Sequence, residues 1–370
     1  MRDDFERHLE SGLRLLADRA PTAPPDLMAQ VRARRPRRWW KALAAFVTTG
    51  ALVATGVAVT SPGGRPVEKP DPSPAIEKVF PRAVHSVPRL MPDGRMYDVV
   101  AMIDRGHALI RTGEGDRTDG LWSLDLATGR PTRLVEVSTP KGTVISFWSA
   151  AVGEGRIAWW TSRRVKGKMT TTFFTAPVTG GEQRVLAEAP GSPLDLTISD
   201  GRLVWTRGGT GGAYEVPLSG GVPKAIKGTE GMHMVQWPWV GTPAFRQQKL
   251  AIVHGEIVNA LTGERRTTSG WTAPAQCSVT WCMSRDRIGR RDGTGARVVP
   301  EMFLADPPAL DRFVLPRSPG GGLIDLATGR NIGLRADDNP VLDYRMKVLT
   351  YEKGGRLIIV DLAAIPRVNP

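Results

Sequence analysis

The chain has few of the residues from which metal centres and catalytic sites are built. Among 370 residues there are only two cysteines and five histidines. The histidines have no metal-ligand spacing such as i, i+4, and there is no G-x-S-x-G elbow, phosphate loop or paired-carboxylate motif. We therefore predict no catalytic residue, no metal site and no cofactor. The histidines are His8, His85, His107, His233 and His254.

Charge is absent from one stretch, residues 42–60, which reads ALAAFVTTGALVATGVAVT. A bilayer core is about 30 Å thick and a helix rises about 1.5 Å per residue, so this run is just long enough to span it. Arginines and a lysine crowd residues 32–41, whereas few charges follow the run. The positive-inside rule then places the N-terminus in the cytoplasm. We predict a single-pass protein of the cell membrane, with a helical cytoplasmic tail (1–38), a transmembrane helix (39–60) and the rest of the chain outside.

Two alternatives to an anchor are a buried core helix and a cleavable signal peptide, for which the segment from Gly56 to Ala58 offers small residues at the cleavage spacing. No cysteine follows the run closely, which excludes a lipoprotein anchor. In a retained helix, Gly50, Ala54 and Ala58 share one face. Small residues on one face predict close helix packing and dimerisation, although an alanine-rich composition also explains them.

The tail has apolar residues at helical spacing from Phe5 to Leu16, and it is too short to bury a core alone. Its pattern LADRAPTAPPDLMAQVRARR ahead of a membrane span resembles the N-terminal segments of actinobacterial membrane proteins that accompany extracytoplasmic-function sigma factors. The resemblance implies a sigma factor or another regulator as a cytoplasmic partner. The zinc-binding form of such segments combines a histidine with cysteines, and His8 has no cysteine near it. The alternative is a tail without a partner.

Repetition is the main signal beyond residues 61–75, whose five prolines predict a stiff, extended linker. The sequence LWSLDLATGR at 121–130 returns as GGLIDLATGR at 321–330. Weaker copies lie at residues 173–180, 213–220, 256–263, 289–295 and 356–364. Each copy is an apolar run that ends at a turn, and a second run follows the turn. This pattern predicts a hairpin.

A hairpin with further strands every ~40 residues predicts the four-stranded blade of a β-propeller. Residues 76–370 are therefore predicted to form an all-β domain of seven blades, with six or eight as alternatives. A strand within residues 79–91 is expected to close the ring and remove its open edge.

The phrases DLATG, PVTGG, PLSGG and DGTG, after LWS, FFTA and AYEV, resemble the repeats of TolB-like and WD-repeat-like propellers. The resemblance covers nearly the whole domain. It lacks a Trp-Asp signature, so it implies a fold and leaves activity open.

Cys277 and Cys282 are predicted to form a disulfide, because they lie in the part of the chain placed outside the membrane. In an extended strand their Cα atoms would be about 16 Å apart, and a disulfide needs less than about 7 Å. The bond therefore requires a turn at residues 278–280. Free buried thiols are the alternative.

Tryptophans are frequent, and most lie within alternating strands and are predicted blade core. Trp237 and Trp239, in QWPWVGTP, are the candidates for an exposed contact with a partner. The remaining members of the set considered are Trp148, Trp159, Trp160, Trp205, Trp271 and Trp281.

The net charge of +13 permits contact with anionic polymers or lipid headgroups, although scattered charges also describe a plain solvated surface. Nucleic acid is not an expected partner of a domain outside the membrane. We expect a membrane-anchored, non-enzymatic binding or sensing module with a protein partner at the propeller face and a regulator at its tail. The alternative is a propeller enzyme of the lyase, cyclotransferase or hydrolase type that acts on an envelope substrate.

Overall fold

Short strands joined by tight turns make up most of the structure, a computed structural model. It describes residues 73–114, 117–137, 143–146, 150–242, 252–285, 287–299, 307–316, 322–334, 336, 340–343 and 347–367. The predicted tail (1–38), transmembrane helix (39–60) and packing face of Gly50, Ala54 and Ala58 lie outside these residues, as does most of the linker. Within the described residues, no helix combines the length and the apolar character of a membrane-spanning segment.

The strands of the described residues form seven sheets, which we number as blades in chain order. Before the first blade come helix α1 (Ile76–Val79) and strand β1 (Val84–Pro88). Blade 1 contains β2 (Asp98–Met102), β3 (His107–Glu114), β4 (Arg117–Asp125) and β5 (Pro131–Glu136). Blade 2 contains β6 (Thr143–Ser146), β7 (Ala151–Gly153), β8 (Arg156–Val165), β9 (Lys168–Pro177) and β10 (Arg184–Pro190). Blade 3 contains β11 (Pro193–Ser199), β12 (Arg202–Arg207), β13 (Ala213–Pro217) and β14 (Lys224–Ala225).

The second half of the ring has shorter strands. Blade 4 contains β15 (His233–Gln236), β16 (Trp239–Thr242), β18 (Glu256–Asn259) and β19 (Arg265–Thr267). Blade 5 contains β17 (Ile252–Val253), β20 (Ala275–Cys277), β21 (Trp281–Met283), β22 (Arg287–Arg290) and β23 (Arg297–Val298). Blade 6 contains β24 (Phe313–Val314), β25 (Leu323–Asp325) and β26 (Arg330–Ile332). Blade 7 contains β27 (Val341–Asp343), β28 (Val348–Lys353) and β29 (Arg356–Asp361), after which a 3₁₀ helix runs over Leu362–Ala364. The prediction of an all-β, seven-bladed propeller is confirmed.

The ring is closed by its own N-terminal strand. β1 pairs antiparallel with β29, from Val84 opposite Val360 to Pro88 opposite Arg356, and so completes blade 7. The predicted closure is confirmed. All described residues lie within one compact unit, Lys69–Pro370, which contains both ends of this closure and is expected to fold by itself.

The core consists of apolar layers between neighbouring blades. Trp159 and Trp160 are consecutive in β8, so their side chains point to opposite faces of blade 2. Trp159 is 1% exposed and packs with residues of blade 1, whereas Trp160 is 3% exposed and packs with Trp205 of blade 3. Burial of both faces explains why the middle strands read as continuous apolar runs rather than alternating ones. The predicted blade-core role of these tryptophans is confirmed.

The repeated turn sequence has a local physical cause. In blade 1 the Asp125 carboxylate accepts hydrogen bonds from the backbone N–H groups of Ala127 and Thr128, both at 2.9 Å. Gly129, at a φ of 71°, then donates its N–H to the Asp125 carbonyl at 2.7 Å. Only glycine adopts that backbone conformation without strain, which is why the turn recurs with glycine in this place.

Successive strands alternate in direction, so the connections fall on two faces of the ring. Leu126, directly after a third strand, donates its N–H to Gly106, between the first and second strands of the same blade, at 2.8 Å. Leu218 and Gly201 repeat the bond in blade 3, also at 2.8 Å. These two kinds of turn therefore share one face, which we call the turn face. The hairpins between second and third strands, and the connections between blades, lie on the opposite face, which we call the hairpin face.

Candidate functional site

The disulfide lies in the first hairpin of blade 5. Cys277 ends β20 and faces Cys282 of β21, with their Cα atoms 4.0 Å apart. The Ser278 N–H donates to the Trp281 carbonyl at 2.7 Å and closes the turn between them. Both cysteines are 0% exposed. The predicted bond and the turn that it requires are therefore confirmed.

Asp311 of blade 6 holds this turn from the neighbouring blade. Its carboxylate accepts hydrogen bonds from the Ser278 hydroxyl at 2.5 Å and from the Thr280 N–H at 2.9 Å. The backbone of Asp311 has a φ of 54°, a left-handed conformation that aspartate tolerates better than most residues do. The carboxylate of Asp311 thus connects blade 6 to blade 5. The left-handed backbone conformation that positions it is that of Asp311 itself.

Arg291 lies on the other side of the same turn and is 6% exposed. Its guanidinium donates to the Ser278 carbonyl at 2.7 Å, the His254 carbonyl at 2.9 Å and the Gly255 carbonyl at 2.7 Å. Burial lowers the pKa of Arg291 to about 10, an effect that the negative charge of Asp311 partly opposes and the positive charge of Arg266 assists. Arg291 is still charged at neutral pH.

Together, Arg291, Ser278 and Asp311 form what we call the arginine cluster, which ties segments of blades 4, 5 and 6 to one another. A guanidinium has donors and no lone pair, so it can hold oxygen atoms but cannot act as a base. The Nε of Arg291 is buried and has no hydrogen-bond partner within the described residues. The cluster is therefore suited to fixing loops.

A buried ion pair lies within blade 6, between Arg312, directly before β24, and Asp325 at the end of β25. Arg312 donates from Nε and from one terminal nitrogen to the two carboxylate oxygens of Asp325, at 2.8 and 2.7 Å. Its other terminal nitrogen donates to the Ile365 carbonyl at 3.2 Å. Burial raises the pKa of Asp325, but the hydrogen bonds and charge of Arg312 outweigh it, so that the net shift is downward. No motif in the sequence predicts this pair, because Arg312 and Asp325 are 13 positions apart and meet only in the folded blade.

The described histidines lie apart from this cluster, or contribute backbone atoms to it as His254 does. Burial lowers the pKa of His233, and a hydrogen bond of its ring to the backbone of Arg207 partly opposes this shift. Burial likewise lowers the pKa of His85, against the charge of Asp361. In the part of the chain that the structure describes, no group of three His, Cys, Asp or Glu side chains could share a metal ion.

Trp237 and Trp239 occupy different environments. Trp237 is partly buried, but Trp239 is 9% exposed, because it lies in an inner strand of blade 4 and the Arg266 guanidinium covers its ring at 4.4 Å. The prediction of an exposed contact at Trp239 is therefore corrected. Contact of Trp237 with a partner stays a prediction. Trp148 lies outside the described residues.

A group of exposed cations lies on the hairpin between β8 and β9, and no motif described above predicts it. Its segment SRRVKGKMT places Arg163, Arg164, Lys166 and Lys168 at exposed positions. The available signal was the density of cations around a single turn glycine, Gly167, between two alternating strands.

No family model matches the chain, and no curated protein matches its sequence. Its structure is similar to propeller proteins. TolB from Acinetobacter baumannii matches with a TM-score of 0.34 and 13% identity, over 58% of this chain and 62% of that one. An oligogalacturonate lyase in complex with manganese matches with a TM-score of 0.39 and 11% identity, over 75% and 90%. A prolyl endopeptidase matches with a TM-score of 0.42 and 11% identity, over 75% and 48%.

The chain spans 62% of the TolB chain and 48% of the endopeptidase chain. Because the similar structures include enzymes as well as TolB, they favour neither an enzyme nor a binding module. At 11–13% identity, the likeness concerns the propeller fold alone.

Proposed function

We propose that the chain is a membrane-anchored, non-enzymatic binding module. In this proposal residues 39–60 form the anchor, residues 1–38 lie in the cytoplasm and the propeller lies outside. The propeller takes a protein or envelope ligand at one face, and the tail contacts a cytoplasmic regulator, for which a sigma factor is the candidate.

The observation that carries this proposal is the way in which the N-terminal segment is built into the ring. Ala75 pairs with Gly333 of blade 6, and the Ile76 N–H donates to the Gly333 carbonyl at 2.9 Å. Ile76 is 0% exposed, and β1 then completes blade 7. A chain entering from the linker is thus fixed to two blades, so a change in the ring on ligand binding would reach the linker directly.

Glu77 of helix α1 strengthens this connection. Its carboxylate accepts hydrogen bonds from the Lys353 ammonium at 2.6 Å and from the Tyr351 hydroxyl at 3.2 Å, both in β28. Partial burial raises the pKa of Glu77, but the hydrogen bond and charge of Lys353 outweigh it and the net shift is downward. The ion pair joins the entry segment to the strand next to the closure.

The Arg312–Asp325 pair, Asp311 and Asp361 support binding rather than catalysis, because their carboxylate and guanidinium groups already hold the frame. Arg312 and Asp325 form an ion pair with one another, and the Asp311 carboxylate accepts a hydrogen bond from the disulfide hairpin. The Asp361 carboxylate accepts the N–H groups of Ala363 and Ala364 at 2.9 and 3.3 Å, and so caps the 3₁₀ helix. A frame held in this way presents its loops rigidly, which favours recognition.

Membrane fractionation tests the anchor. The full chain is expected to stay with the membrane after a high-salt wash, whereas a variant lacking residues 39–60 is released. External protease should digest the propeller in intact cells and spare the tail. A full chain that salt releases, or a mature N-terminus just after Ala58, would overturn the anchor.

The tail partner has its own test. The tagged full chain is recovered from solubilised membranes beside a variant whose residues 1–38 are scrambled, and the captured proteins are identified. We expect a transcriptional regulator with the native tail alone. Equal recovery with both tails would contradict a role for the tail and leave the anchor result unaffected.

A further inference from the structure

A two-stranded tip protrudes from the hairpin face at blade 2. Strands β8 and β9 stay paired as far as Val165 opposite Lys168. Within the described residues, β6 pairs with β8 only as far as Arg163, and β10 pairs with β9 only as far as Thr170. Residues 164–169, which we call the basic tip, therefore extend beyond the strands that flank them.

The turn of the basic tip gives it a defined shape. Lys166 and Gly167 have φ angles of 48° and 78° and form a two-residue loop. Two left-handed residues in such a loop match the twist of the flanking strands. The side chains that the tip carries are thus presented by a regular hairpin.

Within the described residues, the cations of the basic tip have no carboxylate partners. Arg164, Lys166 and Lys168 are all exposed, and no ion pair within the described part of the chain includes them. Arg163, one residue before the tip, is paired with Glu188 at 3.2 Å. The unpaired positive charge therefore begins where the hairpin leaves the blade.

The corresponding hairpin of blade 7 shows that this arrangement is not a general property of the ring. Lys353 is paired with Glu77 at 2.6 Å, and Arg356 donates to the Ser86 hydroxyl and carbonyl, both at 2.7 Å. Its cations hold the N-terminal segment. Those of the basic tip face solvent.

Apolar side chains accompany the unpaired cations. Val165 at the tip is 41% exposed. The connection from blade 7 to blade 1 lies on the same face and exposes Leu90 at 46% and Met96 at 63%. Val165 is an exposed apolar residue between Arg164 and Lys166, which matches the chemistry of an interfacial membrane contact, whereas a soluble polyanion would use the cations alone.

We propose that the basic tip binds the surface of an anionic phospholipid bilayer. Arg164, Lys166 and Lys168 contact the headgroup phosphates, and Val165 enters the boundary between headgroups and acyl chains. This contact does not depend on residues 39–60. It goes beyond the proposed function by naming a second membrane contact, made by the propeller itself.

Vesicle sedimentation tests the contact with the compact unit Lys69–Pro370, which lacks the predicted anchor. We expect binding to vesicles that contain phosphatidylglycerol, weaker binding to phosphatidylcholine alone, and loss of the difference at high salt. The triple variant Arg164→Gln, Lys166→Gln, Lys168→Gln should bind about 100-fold more weakly, since each cation at an anionic surface contributes about fivefold.

A matched control removes the same charge from the opposite face. Arg130, Arg184 and Lys224 are exposed and each follows a turn of the turn face, so Arg130→Gln, Arg184→Gln, Lys224→Gln should bind within about threefold of the parent. Equal losses in the two triple variants would overturn the proposal, because net charge alone would explain binding. Hairpin-dependent binding to soluble polyphosphate without binding to vesicles would also overturn it. Thermal unfolding of each variant confirms that it is folded.

A fluorescent probe locates the contact. The described residues contain no free cysteine, so Val165→Cys can be labelled with a polarity-sensitive dye. We expect a blue shift on addition of phosphatidylglycerol vesicles. The control is Val222→Cys, at an 80% exposed position on the turn face, which should show no shift. A shift at residue 222 and none at residue 165 would place the contact on the wrong face. The fractionation result for the full chain is unaffected by either outcome.

Discussion

The hexapeptide DLATGR forms a turn in both blade 1 and blade 6, and its aspartate is partly exposed in blade 1 and buried in blade 6. In both copies the aspartate accepts the N–H of the alanine two positions on, at 2.9 Å for Asp125 and 3.0 Å for Asp325. In both, the glycine donates its N–H to the aspartate carbonyl, at 2.7 and 2.8 Å. The two copies differ in what surrounds them. Asp325 is 1% exposed and is clasped by Arg312, whereas Asp125 is held from within its own turn.

This difference shows that the repeat encodes the turn, whereas a side chain outside the repeat, that of Arg312, determines how the aspartate is held. A local hydrogen-bond pattern survives transfer from one blade to another, because every donor and acceptor lies within the hexapeptide. The ion pair does not transfer, because Arg312 belongs to the preceding turn of blade 6 and has no counterpart in the hexapeptide of blade 1.

Removal of the two aspartates should give the largest contrast. Asp325→Ala leaves Arg312 charged, buried and unpaired, and is expected to lower the free energy of unfolding by about 3–5 kcal/mol. Asp125→Ala removes turn hydrogen bonds that solvent replaces, so its effect should be clearly smaller. Calorimetric melting temperatures of the two variants of Lys69–Pro370 check the order. Equal decreases in melting temperature would show that the ion pair adds no stability beyond that of the turn hydrogen bonds.

Replacement of both partners should separate the stabilising attraction within the ion pair from the cost of desolvating its charges. Arg312→Met alone leaves a buried carboxylate without its partner and should cost about 3–5 kcal/mol, as Asp325→Ala does. Arg312→Met combined with Asp325→Leu leaves no buried charge, and is expected to recover most of that loss. A double-mutant cycle by urea unfolding measures the coupling. If the double variant is as unstable as the sum of the single ones, the coupling is zero, and the two side chains do not stabilise one another.

Substitution of the two turn glycines should reverse the order, with the larger loss of stability in blade 1. Gly129 and Gly329 have φ angles of 71° and 72°, so alanine is strained at both, at about 1 kcal/mol. At Gly129 a new Cβ would lie 2.5 Å from the Cδ of Pro88, in the strand that closes the ring. At Gly329 it would meet only the end of the flexible Arg297 side chain, at 3.1 Å.

We therefore expect Gly129→Ala to cost about 2–4 kcal/mol and Gly329→Ala about 1 kcal/mol, from strain with and without overpacking. Urea midpoints of the two variants check this difference. A larger loss at Gly329 would mean that contact with the closing strand does not decide the cost.

The repeats and their turn glycines were enough to predict the all-β class, the blade number and the closing strand, because these follow from patterns within about 40 residues. The disulfide was predictable as well, since Cys277 and Cys282 are only five positions apart. Sequence patterns within a short segment thus predict the hairpins and turns whose hydrogen bonds lie within that segment.

The remaining features depend on contacts between distant segments. Arg291 reaches carbonyls 36 and 37 positions away, and Asp311 reaches a hydroxyl 33 positions away. The local sequence predicts an exposed Trp239, but Arg266 covers its ring from the outer strand of the same blade. The unpaired state of the basic tip depends on where carboxylates of other strands end, which no single segment reveals.

Lowering the pH should reduce the difference between the stability effects of substituting Asp325 and Asp125. Burial raises the pKa of Asp325 and Arg312 lowers it further than burial raises it, so the folded-state pKa lies below the ordinary value of 3.8. The pKa of Asp125 is also lowered, chiefly by the backbone hydrogen bond of Thr128. A lowered folded-state pKa contributes stability that is fully present above the unfolded pKa and is lost as pH falls through the folded pKa.

The melting-temperature difference between the parent and Asp325→Asn should therefore be constant above about pH 5 and shrink below about pH 4. The difference for Asp125→Asn should shrink over the same range with a smaller amplitude, because its carboxylate is solvated and charge at an exposed site is worth less. Two curves of equal amplitude would contradict the role of Arg312, since only turn hydrogen bonds common to both corners could then account for them. A curve for Asp325 that rises with acid would mean that desolvation, rather than the guanidinium, dominates the carboxylate.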